Sequence, residues 1–223
     1  MKRSALVIGL LVIAGSAHAQ PGVSLSAMPE EPPVVQRSAE QHLLRRAATE
    51  ARPASDPGRP AAMLELAEAF RALSRRADET RTLARIVQDH PTYEADRVLF
   101  RLAMALVAQR QPERARQVFV RLLRSQPASP YVQGAYVALA DQHAGSGDLA
   151  AAGRFIERAL SFPGGRWEAY ARYRHAWLLA EDGDRGAARA ALDLAARAAS
   201  QPGQVGASEV LRAIDLDRAA LSP

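Results

Sequence analysis

The side chains best suited to holding a metal ion or moving a proton are five histidines: His18, His42, His90, His143 and His175. Two ligands on one helix face must stand at i and i+3 or i+4, and no two of these histidines do. Three acidic pairs are adjacent in sequence: Glu30-Glu31, Asp78-Glu79 and Glu181-Asp182. General acid–base chemistry needs two carboxylates facing one substrate from different environments. Neighbours on a helix face apart, so these pairs read as solvated faces. Gly145-Ser146-Gly147 lacks the preceding strand and the following lysine of a phosphate loop. No Gly-x-Ser-x-Gly nucleophile elbow is present. The chain has no cysteine, which excludes disulfides, thiolate metal sites, cysteine nucleophiles and a lipid-modified cysteine. The sequence therefore predicts a protein that is not an enzyme, with no catalytic residue, no metal site and no cofactor.

The basic residues are almost all arginine; Lys2 is the only lysine. Arg110, Arg114, Arg116, Arg121 and Arg124 cluster within one segment, and Arg45-Arg46 and Arg75-Arg76 lie elsewhere. Their spacing is expected to spread them around an outer face and not to form one stripe. Acidic residues are interspersed through the rest of the chain, so nucleic-acid binding is not expected. The formal charge of +5 is a mild excess. It fits weak contact with anionic envelope polymers.

The elements that would carry a site begin after an address. Lys2 and Arg3 form a positive start, residues 5–14 are apolar, and Ala17-His18-Ala19 is an Ala-x-Ala cleavage pattern. Residues 1–19 thus read as a secretory signal peptide, too short in its apolar part for a span of ~20 residues. The expected location is the periplasm; the alternative is an inner-membrane anchor left by an uncleaved signal. No transmembrane span is expected in the mature chain. Residues 20–37 are a Pro-rich flexible tether with Pro21, Pro29, Pro32 and Pro33. Ser38-x-x-Gln41 is a capping-box pattern that opens an N-terminal helix, and residues 38–59 hold that helix and a loop broken by Pro53, Pro57 and Gly58.

From Pro60 the chain repeats. Gly147-Asp148 and Gly183-Asp184 mark turns 36 residues apart, and Gln111-Pro112 lies the same interval before the first of them. Each turn is flanked by two amphipathic stripes of helical period. Alanine abounds and aromatic residues make up only 5%, which favours closely packed helices over sheets. From Asp96, Leu99, Leu102, Ala103 and Leu106 form one stripe, Ala115, Phe119 and Leu122 the next, and Pro127 follows. From Gln133 come Tyr136, Leu139, Ala140 and His143, then Ala152, Ile156 and Ala159. From Ala169 come Arg172, His175, Ala176 and Leu179, then Ala188, Leu192 and Ala195. From Pro60 come Met63, Leu66, Ala67 and Phe70, then Glu79, Leu83 and Ile86, with Pro91 beyond. This pattern resembles the tetratricopeptide repeat (TPR) family, whose unit pairs two antiparallel helices in about 34 residues. Arg172, His175 and Glu79 depart from it. The fold implied is all-α: a helix-turn-helix solenoid, or TPR-like superhelix, of four pairs over residues 60–205. Ala207, Val210, Leu211 and Ile214 then begin a C-terminal capping helix over 206–223.

In the family the first helix of each unit lines a partner-binding groove. Carried over residue by residue, the resemblance assigns Leu64, Glu68, Arg71, Arg97, Phe100, Met104, Val107, Val137, Asp141, Tyr170, Tyr173 and Trp177 to that groove. The alternatives are that Phe100, Met104 and Trp177 belong to the core or lie beneath the N-terminal helix. Aromatic and methionine side chains anchor partners by burying much area at little entropic cost. The implied function is an exported, non-catalytic scaffold holding a protein or peptide partner in a cell-envelope complex. It is similar to the Tol-Pal coordinator and to outer-membrane assembly proteins of this family, although the missing cysteine argues against the lipoprotein member. The rivals are a periplasmic peptide-holding chaperone, or a metal-binding or enzymatic protein in which tertiary structure joins His143 and His175. The oligomeric state is not fixed by any of these features.

Overall fold

The computed structural model describes residue 53 and residues 55–221. The predicted signal peptide, the tether and the helix expected after Ser38 lie outside the described residues. Among the described residues all regular structure is helical: α1 Arg59–Ala72, α2 Arg76–Asp89, α3 Ala95–Ala108, α4 Pro112–Ser125, α5 Val132–Gly145, α6 Leu149–Leu160, α7 Glu168–Glu181, α8 Arg185–Ala199 and α9 Ala207–Leu221. No helix among them is long and apolar enough to cross a membrane. They form two compact units, one ending at Tyr131 and holding α1–α4, the other starting at Val132 and holding α5–α9. Within each unit every helix packs against the next in sequence.

The pairing follows from where small and large residues fall. Ala67, Ala103, Ala115, Ala140, Ala152, Ala176 and Ala188 are all buried, and these are the places where the two helices of a pair must approach closely. Larger side chains fill the gaps beside them: Leu83 and Ile86 in α2, Phe119 and Leu122 in α4, Ile156 in α6, Leu192 in α8. Each such side chain contributes about 1.5–3 kcal/mol by leaving water.

One turn design closes all four pairs. The last helical turn ends on a residue of positive φ: Ser74, Arg110, Gly147 or Gly183. The next residue sends its N–H back to a carbonyl five positions earlier: Arg75 to Phe70 at 2.8 Å, Gln111 to Leu106 at 3.0 Å, Asp148 to His143 at 2.9 Å, Asp184 to Leu179 at 3.0 Å. This is the Schellman closure, which satisfies helix-end carbonyls. The same residue is the N-cap of the following helix. In the two Gly-Asp turns the cap is chemical as well. Asp148 accepts from the Ala151 N–H at 3.0 Å and Asp184 from the Ala187 N–H at 2.9 Å. The Ala151 N–H, with His143 beside it, holds the Asp148 carboxyl below its ordinary range. At Ser74 and Arg110 a side chain occupies a conformation that glycine adopts freely. Arg110→Gly should therefore raise stability by about 1 kcal/mol, read from the urea midpoint. A lowered midpoint would show that the Arg110 turn carries no strain.

Two departures from the family pattern are explained by their neighbours. Glu79 stands where a small residue is usual, and it is only 3% exposed. Arg76 pairs with it at 3.1 Å, and Arg101 reaches it from α3 at 3.6 Å. Helix α7 lacks a clean apolar stripe because it is buried around most of its circumference. Ala169, Tyr170, Ala171, Tyr173, Arg174 and Ala176 are all buried, as α5, α6, α8 and α9 each pack against it.

Candidate functional site

In the unit of α1–α4, the first helices of the two pairs are α1 and α3. Glu68 on α1 is exposed and binds Arg97 of α3 at 2.9 Å, so two predicted groove residues meet in an ion pair. Arg101 joins the same carboxylate at 2.6 Å. Arg97 also bonds Glu94 at 2.8 Å, and that bond, first among its influences, raises the already high pKa of Arg97. Arg71 is exposed, and Met104 and Val107 are half-buried. Leu64 and Phe100 are core residues: Phe100 meets Phe119 edge-on at 6.1 Å and stacks on Tyr131 at 5.1 Å.

The unit of α5–α9 holds a polar network on α5 and α7. The Tyr170 hydroxyl donates to Asp141 Oδ2 at 2.9 Å. Arg174 Nε lies 2.6 Å from Asp141 Oδ1, and the guanidinium covers the ring of Trp177 at 4.8 Å. Arg174 is 4% exposed, and its Nη1 has no hydrogen-bond partner. Burial raises the Asp141 carboxyl pKa, while Arg174 and the Tyr170 hydroxyl pull it down. Burial, then the Asp141 charge, raises the Tyr170 phenol well above its usual value. Burial raises Tyr173 likewise, helped by the Asp217 carboxylate of α9, which accepts its hydroxyl. Val137, Tyr170 and Tyr173 are buried, and Trp177 is half-buried.

The two histidines of interest have separate surroundings. His143 Nδ1 is 3.4 Å from Asp148 Oδ2, and its ring stacks on Phe155 at 5.2 Å. Burial lowers the His175 pKa, against Glu157. Among the described residues no group of three His, Cys, Asp or Glu could hold a metal ion.

Residues 97–129 match the tetratricopeptide repeat family. That tetratricopeptide match covers α3 and α4, the pair in which every patterned position is buried. No curated protein sequence matches the chain. Among solved structures, "MamA RS-1 ArsTM double mutant" superposes with a TM-score of 0.51 at 16% identity, covering 83% of this chain and 94% of that one. "MamA 41-end from Desulfovibrio magneticus RS-1" gives a TM-score of 0.49 at 16% identity, covering 83% and 95%. At this identity the first likeness is one of fold alone: the chain is built as a TPR protein is built.

Sequence reasoning missed two features. Arg174 drew no notice, because an arginine on a helix usually reads as solvated. Its signal was position: it lies four residues after Tyr170 and three before Trp177, so the three share a helix face. Of the arginines expected to spread, Arg110 lies in the turn before α4 and Arg116 stands about 80° or more around the helix from the others, but the remaining three share one face. Arg114, Gln117, Arg121 and Arg124 fall within an arc of about 80° at 100° per residue. That arc lies opposite the buried Ala115, Phe119 and Leu122.

Proposed function

We infer that this chain is an exported, non-catalytic scaffold that holds a protein or peptide partner in the cell envelope, gripping it through the first-helix faces. The observation that carries the reading is the setting of Trp177. A half-buried indole sits under a buried guanidinium that Asp141 and Tyr170 fix in place. A pre-organised aromatic anchor binds with little ordering cost. Met104, Val107, Glu68 and Arg71 supply further partly or fully exposed contacts on the other unit. The Tol-Pal and outer-membrane assembly systems are settings in which such a scaffold would serve.

Crosslinking and mass spectrometry on intact cells test this. One or two dominant protein partners are expected, and Trp177→Ala with Met104→Ala should weaken their capture about tenfold while the helical signal persists. Recovery of many unrelated unfolded proteins would favour a peptide-holding chaperone. Capture unchanged in the double variant would displace the grip from these faces. An alkaline phosphatase fusion that stays inactive would remove the exported setting.

A further inference from the structure

The α1–α4 unit contains two outer helices with opposite treatment of their arginines. On α2 the surface is self-neutralised: Arg75 and Arg81 both clamp Asp78, and Arg85 lies 3.4 Å from Asp89. On α4, among the described residues, only Arg116 has a carboxylate, that of Glu113. Arg114 bonds the neutral Gln111 at 2.6 Å, and among the described residues no carboxylate pairs with Arg114, Arg121 or Arg124. All three are exposed, and Gln117 lies between them. They run in file over about 15 Å at 1.5 Å per residue. No exposed apolar side chain shares their arc.

We propose that this file of Arg114, Arg121 and Arg124 on α4 docks an acidic helix of a protein partner. The proposal rests on the scaffold reading and adds a second contact surface to it. The chemistry favours this occupant on three grounds. Guanidinium forks match carboxylates two bonds at a time, which is why arginine suits carboxylate recognition. A helix with acidic residues at i, i+3, i+7 and i+10 presents them over the same arc and length as Arg114, Gln117, Arg121 and Arg124, so two helices laid side by side meet in register. Other polyanions fit less well. Duplex phosphates recur about every 1.7 Å of axis, far denser than this file, and no aromatic residue on the arc could stack a base. A membrane-surface helix needs apolar side chains to enter the lipid boundary, and the arc has none.

The test uses the full chain and two fluorescein-labelled, alanine-based helical peptides of one composition. One carries glutamates at i, i+3, i+7 and i+10; the other carries the same glutamates spread around the helix. Anisotropy in about 150 mM salt should show the striped peptide binding about tenfold or more tightly than the scattered one. R114Q/R121Q/R124Q should lose about tenfold in affinity for the striped peptide, because glutamine keeps the helix and removes the charge. R166Q/R189Q/R197Q removes equal charge elsewhere and should leave binding within about twofold. Equal affinity for the two peptides, no binding of either, or tighter binding of inorganic polyphosphate or phosphatidylglycerol vesicles would each overturn the proposal. The scaffold reading fails by a different result. Unchanged crosslinking of a dominant partner by R114Q/R121Q/R124Q sinks the arginine file and spares the scaffold, whereas absence of any dominant partner from the unmodified protein strikes the scaffold.

Discussion

Asp141→Ala should destabilise the α5–α9 unit by about 3–5 kcal/mol, because it leaves the Arg174 guanidinium buried without a counter-charge. The geometry supports a value in that range. Arg174 is 4% exposed, its Nη1 already lacks a partner, and among the described residues no carboxylate besides Asp141 pairs with it. Tyr170→Phe removes one hydrogen bond to the same carboxylate and should cost about 2 kcal/mol. The penalty lies mainly in the orphaned charge and not in lost attraction, so Asp141→Leu with Arg174→Met should recover most of the loss. Arg174→Met alone has a distinct signature. Burial then raises Asp141 unopposed by Arg174, so the folded state holds the proton more tightly than the unfolded chain does. That variant gains stability relative to the unmodified protein as pH falls towards the carboxylate range and loses it as pH rises through the folded pKa. Both tryptophans, Trp167 and Trp177, lie in the α5–α9 unit, so urea unfolding followed by their fluorescence reports this unit. A loss below about 1 kcal/mol for Asp141→Ala would mean that water already pairs Arg174.

Phe119→Ala should cost about 3–5 kcal/mol, the usual penalty for emptying a packed aromatic site. Phe119 is 0% exposed, lies edge-on to Phe100, and sits between the buried Ala115 and Leu122 of its own helix. Its loss strips α4 of the largest side chain it buries against α3. Circular dichroism is the suitable probe, because the α1–α4 unit has no tryptophan among its described residues. A shift of less than about 1 kcal/mol would show that the α3–α4 pair relaxes around the gap.

Phe119 and Asp141 differ in how far spacing alone reveals their surroundings. Phe119 stood out from spacing alone, because the α4 stripe has one apolar face and the structure buries each member of it. Asp141 was assigned to the groove by position, but its partners were not visible. Tyr170 and Arg174 lie one repeat away, and nothing in a one-dimensional pattern says that α5 and α7 bring them together. The register of α7 was obscured for a packing reason: a helix enclosed by four neighbours has no face for a stripe to mark. Glu79 violated the pattern because Arg76 and Arg101 satisfy it in three dimensions. Leu64, Phe100, Val137, Tyr170 and Tyr173 share the groove positions but are buried, leaving Met104, Val107 and Trp177 as the partly exposed apolar members.

The shared residue at each turn has a consequence for how this chain can change length. Arg75, Gln111, Asp148 and Asp184 each close one helix and open the next, so the linkers 73–75, 109–111, 146–148 and 182–184 all span three residues. An insertion there would break a closure and a cap together. The connections between pairs carry no such double duty, and they vary: 90–94, 126–131, 161–167 and 200–206. The stretch beyond the family's usual repeat length is therefore absorbed between pairs, and tags or reporter loops fit best at the exposed 90–94 joint, because Gln133 ties 161–167 through the Trp167 N–H at 2.9 Å and Gln204 ties 200–206 to the Gly165 carbonyl at 3.0 Å. The helix pair acts as the fixed increment of the molecule, and its length varies at the joints between pairs.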